Sequence, residues 1–254
     1  MKKVLMMLCA VTLACCCFYH SNANALSVLG STKHYGLCGY NQTNWQNMTN
    51  ALNNATNNNF TTNPNAFDNL SFMLNYDAIW IDLRNRDDLL TTTECNNISS
   101  FINTGRRVVL IGENSGWGSW NSQILSLVGG AFSGGYAYGQ TSKLVSNELT
   151  ENADTVYLPV AGIASGSGTA LYDKNFATLW NNNVLTILDV NVFSDSYWGY
   201  NQGMNGQFGI NVANWIAASN SPSSPVPEPS TMLLMGVGLI GLAGYGRKRL
   251  MKKG

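Results

Sequence analysis

Charge is what this chain has least of. Asp, Glu, Lys and Arg make up 11% of its 254 residues, less than half the share usual in soluble proteins. The formal balance of zero hides an asymmetry. Seven of the 14 bases lie at the extreme ends, at Lys2, Lys3 and between Arg247 and Lys253, while 13 of the 14 acids lie between residues 26 and 225. That middle region holds seven bases against 13 acids and carries a net −6. Such a surface repels nucleic acid, and no basic stripe offsets it. Histidine is nearly absent. Only His20 and His34 occur, so a serine nucleophile in the middle region has one candidate base at most. Cysteine is scarce where it matters. Four of six precede residue 18, which leaves Cys38 and Cys95. Two cysteines cannot build a thiolate metal site, and no cofactor motif is present. An oxidising compartment would let this pair close one disulfide; two separate buried thiols are the alternative.

What is abundant sits at the two ends. Lys2-Lys3, an apolar stretch over 4–19 and the small-x-small sequence Ala23-Asn24-Ala25 are the three parts of a secretory signal peptide, with cleavage expected after Ala25. The apolar stretch is too short for a spanning anchor. Leu13-Ala14-Cys15 loosely matches a lipobox, but Thr12 stands where a large aliphatic residue is preferred. At the other end, Val226-Pro227-Glu228-Pro229 precedes a run over 230–246 without Asp, Glu, Lys, Arg or His, and the basic stop Arg247-Lys248-Arg249 follows. Seventeen helical residues reach about 25 Å, the short limit for crossing a bilayer. The basic cluster stays cytoplasmic by the positive-inside rule, which puts the middle region outside. The domain plan is therefore a signal peptide over 1–25, an exported domain over 26–216, a Ser/Pro/Asn-rich linker over 217–225, and a tail over 226–254.

The tail, from Val226 to about Lys253, resembles the PEP-CTERM sorting signal of exported bacterial proteins. Motif, span and basic cluster occur in the family's order. The resemblance implies passage through the Sec translocon, a membrane-anchored precursor, and cleavage by an exosortase. It also implies a Gram-negative bacterium making extracellular polysaccharide, with the product at the cell surface or in a biofilm matrix.

Within the exported region, strands and helices alternate. Residues 76–83 read as a buried strand. Thr91 and Glu94 form a capping box, with Ile98, Phe101 and Ile102 at helical spacing behind it. Residues 107–112 form the next apolar strand, a helix is expected over about 119–128, and 183–190 is a late strand. Residues 33–39 read as the first strand, followed by a helix over about 44–54. Phe208, Val212, Trp215 and Ile216 mark a last helix. Between 136 and 171 the strands look short and mixed. Alternation of this kind predicts a mostly parallel sheet in an α/β fold.

The segments YDAIWIDLR, FINTGRRVVLIGE and NSQILSLVGG, with LDVNVFSD and FGINVANWI near the end, resemble non-catalytic members of the class I glutamine amidotransferase-like superfamily. The resemblance implies a flavodoxin-like three-layer sandwich. The family's nucleophilic cysteine would stand in the turn Gly112-Glu113-Asn114-Ser115-Gly116, where none is present, so that thiol chemistry is not expected.

Ligands of open α/β sheets bind beyond the carboxyl ends of the strands. The polar residues expected there are Asp82, Arg84, Glu113, Asn114, Asp189, Asn191 and Asp195. They allow a carboxylate-dependent hydrolase, an oxygen-ligated cation at Asp189, Asn191 and Asp195, or no chemistry at all, with the acids capping turns. The glycine-rich turns over 112–118 and 162–168 read as connections rather than phosphate cradles. Trp117, Trp120, Trp198 and Tyr200 are candidates for stacking on a polysaccharide. The leading expectation is an exported protein without catalytic activity.

Overall fold

A computed structural model describes residues 26–196 and 199–218. Five parallel strands form the centre of a seven-stranded sheet. They are β1 (Val28–Ser31), β2 (Phe60–Asn63), β3 (Ala78–Ile81), β4 (Arg107–Ile111) and β9 (Val184–Ile187), running in the order β2-β1-β3-β4-β9. Two short antiparallel additions, β8 (Ala177–Trp180) and then β7 (Thr169–Ala170), extend the β9 side. Every residue of β1, β3, β4 and β9 is buried. This is why the central strands read as unbroken apolar runs rather than alternating ones.

The helices are α1 (Gln46–Ala55), the single turn α2 (Leu70–Met73), α3 (Thr92–Ile102), α4 (Gly118–Ser126) and α5 (Asn205–Ala217). From β1 the chain crosses to β2 on one side. From β2 it then passes over β1 to β3 and on to β4 in the opposite direction. Right-handed crossovers therefore put α1 on one face of the sheet and α2 and α3 on the other. Helix α5 packs beside α1 and reaches β3 and β4, which closes that face. The result is a mixed α/β sandwich around a mostly parallel sheet. The expected capping box is present: Thr91 Oγ1 accepts from the Glu94 amide at 3.1 Å, and Glu94 Oε2 accepts from the Thr91 amide at 2.8 Å.

Three expectations need correction. The first strand is Val28–Ser31, not 33–39; the latter is a loop closed by a Tyr35–Cys38 bridge. Strand β2 was not anticipated; it lies inside the asparagine-rich stretch over 41–69. The region after residue 130 holds the longest strands of the molecule, β5 (Ala131–Ser142) and β6 (Thr155–Ser165), paired as a separate antiparallel hairpin. The glycine-rich 162–168 segment is accordingly part strand. Gly162 lets β6 lie against the main sheet, since a Cβ there would fall 2.5 Å from the Glu113 carbonyl oxygen. Its amide donates to Leu188 O at 2.7 Å.

The signal peptide with Ala23 and Ala25, the sorting motif Val226–Pro229, the 230–246 run and Arg247, Lys248 and Arg249 lie outside the described residues, as do Tyr197 and Trp198. Among the described residues no helix is long and apolar enough to cross a membrane.

Candidate functional site

A cleft of about 890 Å³ opens beyond the carboxyl ends of the parallel strands. Four of the five parallel strands deliver their next residues there: Tyr35 to Cys38 after β1, Asn85 after β3, Glu113 and Asn114 after β4, and Val190 and Asn191 after β9. The hairpin supplies the remaining wall with Tyr138 from β5 and Tyr157, Pro159 and Val160 from β6. Asn205 docks that wall. Its fully buried amide accepts from the Tyr157 amide and donates to the Tyr157 carbonyl, both at 2.8 Å.

Glu113 lies at the cleft, with little of it exposed. One oxygen accepts from the Asn114 amide (3.0 Å) and Asn114 Nδ2 (2.9 Å). The other accepts from the Val190 amide (3.3 Å) and Asn191 Nδ2 (3.2 Å). A carboxylate has about four lone-pair sites, and all of them are filled. The side chain thus ties the turn after β4 to the turn after β9. Burial above all, and then the Asp189 carboxylate, push Glu113 up to about 9 against the pull of these donors. Asp189 is completely buried, and burial pushes it up to about 7. Its Oδ1 accepts from the Asn191 amide at 3.0 Å.

Asp82 is sealed behind them. It accepts from Trp80 Nε1 (2.7 Å) and the Tyr40 amide (3.1 Å), and burial pushes it up to about 6. Cys38 feels all three carboxylates. Burial, partly offset by a hydrogen bond with Ser194, and then these charges push its thiol up to about 11. That is the opposite of what an activated cysteine needs.

The seven residues expected at the strand ends therefore divide. Glu113, Asn114 and Asn191 line the cleft. Asp82 and Asp189 lie buried close by without lining it. Arg84 is turned away: its guanidinium forms a two-pronged pair with Glu94 at 2.7 and 3.2 Å, buried under α3. Asp195 is spent on a helix end, where it accepts from the Gln46 and Asn47 amides at the start of α1. With Asp195 committed there, the set Asp189, Asn191 and Asp195 does not converge as an oxygen-ligated cation site would require. Among the described residues no group of three or more His, Cys, Asp or Glu side chains is arranged to hold a metal ion.

Cys38 and Cys95 are both free. Cys38 belongs to the cleft loop, whereas Cys95 sits in the first turn of α3 beside Glu94 and Arg84, so of the two alternatives the pair stands as separate thiols, Cys38 buried and Cys95 partly so. The turn over 112–118 is filled by the Asn121 side chain, which bonds the Glu113 amide (3.0 Å) and the Glu113 carbonyl. Trp120 is core, with its indole N–H on the Ile111 carbonyl. Tyr200 packs on α5, close to Gly206 and Gly209. Only Trp117 of the four candidate aromatics lines the cleft among the described residues. Tyr35, Tyr138 and Tyr157 were missed. A Tyr-x-Tyr spacing at 136–138 does place two rings on one face of a strand, and that was the available signal.

Residues 225–249 match the model of the PEP-CTERM protein-sorting motif. The tail is a sorting signal. It marks the chain as an exosortase substrate, delivered as a membrane-anchored precursor toward the cell surface. No curated protein matches the chain. Among solved structures, the mmIFT52 N-terminal domain is similar at 12% identity and a TM-score of 0.60, over 74% of this chain and 99% of that one. A thua-like protein from Bacteroides uniformis is similar at 11% identity and a TM-score of 0.47, over 78% and 93%. The exo-beta-1,4-mannosidase Op5Man5 from Opitutaceae bacterium strain TAV5 is similar at 12% and 0.44, over 73% of this chain and 35% of that one. At such identity the likeness is one of shape, and function does not travel with shape.

Proposed function

We propose that this is an exported surface protein whose α/β domain binds a ligand in the strand-end cleft without turning it over. Exosortase cleaves near Pro227-Glu228-Pro229 and releases or transfers the domain to the cell exterior, in or on the extracellular matrix. We read the domain as a flavodoxin-like sandwich of the class I amidotransferase-like type that has kept the ligand-binding end of the fold and not the nucleophile.

The observation that carries the non-catalytic reading is the saturation of Glu113. Among the described residues it is the one carboxylate lining the cleft, and both its oxygens are occupied by N–H donors. Glycoside cleavage needs two carboxyl groups flanking the scissile bond. Asp82 and Asp189 are sealed below the surface. Cys38, with its raised pKa, does not supply a nucleophile in their place.

The sorting half is tested in the native host by deleting Pro227 to Pro229. The expected outcome is a full-length, membrane-bound precursor in place of the processed form. Unchanged processing refutes it.

A further inference from the structure

The cleft has more aromatic surface than its fold requires. Tyr35 is 39% exposed and Tyr138 is 63% exposed, although both line a concave site. Each belongs to an edge-to-face pair. Tyr35 meets Trp117 at 4.8 Å and 74°, and Tyr138 meets Tyr157 at 5.8 Å and 76°, with the two hydroxyls of the second pair hydrogen-bonded at 2.8 Å. Pairing braces the rings, so an incoming group meets surfaces already held in place. A buried aromatic needs no explanation; exposed, braced rings around a cleft are where an amphipathic ligand lands.

The polar lining narrows the ligand further. Among the described residues the side-chain amides of Asn44 and Asn85 make no hydrogen bond, which leaves donors and acceptors of both kinds facing the cleft. Among the described residues no Lys or Arg lines it, and its one carboxylate already accepts from N–H donors at both oxygens. Arg86 lies outside the lining, its guanidinium 4.8 Å from the Trp117 ring. Nothing in the cleft is therefore built to neutralise an anion. Rings offer flat apolar faces, and amides offer partners for hydroxyl groups. Pyranoses with equatorial substituents present just that combination, a C–H face on one side and hydroxyls around the edge.

Resting on the binding reading above, we propose that the cleft holds a neutral pyranose chain, stacked on Tyr35 and Tyr138 and hydrogen-bonded by Asn44 and Asn85. The volume places it among ordinary ligand sites and leaves room for more than one sugar ring. Uronic-acid chains are disfavoured, because among the described residues no Lys or Arg lines the cleft to receive their carboxylates.

The test uses the full-length protein in detergent, titrated by calorimetry with cellohexaose, chitohexaose and hexagalacturonate. At least one neutral hexamer binds, and hexagalacturonate binds at least tenfold more weakly. Tyr35→Ala and Tyr138→Ala each weaken binding about 3- to 10-fold, the value of one aromatic contact. Each truncation also loses one aromatic pair, about 0.5–1.5 kcal/mol, so the melting temperature falls by no more than about 2–6 °C and the variants stay folded at the assay temperature, which separates lost contact from lost fold. Silence with both neutral chains overturns the inference. So does full affinity in the double variant, or a preference for the uronate. If sugar binding fails while Pro227–Pro229 deletion still blocks processing, the ligand class is wrong and the sorted-protein reading stands. If sugars bind and processing is unaffected by the deletion, the reverse holds.

Discussion

Removing the carboxylate of Glu94 should unfold this domain more readily than any other single charge change. Arg84 is 1% exposed and carries a full charge. Both its Nη atoms are bonded to Glu94, at 2.7 and 3.2 Å, while its Nε has no partner. Lys33 adds a weaker contact to the same carboxylate at 3.8 Å. Glu94 also closes the capping box of α3. Burial raises the Glu94 pKa, but hydrogen bonds from Arg84 and Thr91 and the Arg84 charge outweigh that and hold it below the usual range. Breaking a buried pair from one side leaves an uncompensated charge and costs about 3–5 kcal/mol. Glu94→Gln should therefore lose about that much in urea-induced unfolding. An exposed pair provides the control: Lys143 meets Asp154 with the two side chains 33% and 62% exposed, and Asp154→Asn should cost under about 1 kcal/mol. Replacing both buried partners together, with Arg84→Met and Glu94→Leu, should recover most of the loss, short of the cap at about 1 kcal/mol. A loss under about 1 kcal/mol for Glu94→Gln would refute the reasoning, since the pair would then be screened as a surface pair is.

Two further perturbations follow from the same packing. Burial raises Asp82 to about 6, Asp189 to about 7 and Glu113 to about 9. The folded state then binds more protons than the unfolded one, so stability is greatest near pH 4 and falls as pH rises through these values. For Asp82 alone, moving from 3.8 to about 6 corresponds to about 3 kcal/mol. Glu94 is ionised across this window and does not offset the fall. The melting temperature at pH 8 should lie below that at pH 5, and a rise between them would contradict the burial of these acids. Gly162→Ala would press a Cβ to 2.5 Å from the Glu113 carbonyl oxygen and 2.8 Å from the Phe132 ring. The expected cost is about 1–3 kcal/mol by overpacking, read as a drop in the urea midpoint; no drop would mean that the hairpin does not dock there.

Much of the molecule was legible because it rests on local rules. The apolar runs of β3, β4 and β9 are buried on both faces and cannot be mistaken for surface. Thr91 and Glu94 announce α3 three residues apart. Acids just past the strand ends predicted where the cleft would open. The Asn-rich stretch concealed β2, because a four-residue edge strand with two exposed threonines carries almost no hydrophobic pattern. The hairpin was underestimated for a related reason. β5 is mostly exposed, and three register shifts interrupt its pairing with β6, so its alternation is broken in the sequence too.

The sequence by itself determined the C-terminal sorting signal, set by a short motif, an apolar run and a basic cluster, and the acidic balance of the region before it. It also determined the parallel α/β core, whose strands are short contiguous patterns. Only the tertiary structure decided which polar residues face the cleft. Arg84 and Glu113 follow neighbouring strands, yet one is consumed by a helix cap and the other by the opposite turn, because a buried charge takes whatever partner folding brings within reach. Tyr138 and Tyr157 come from a hairpin about a hundred residues away from the loop that carries Tyr35, and no local pattern encodes that meeting.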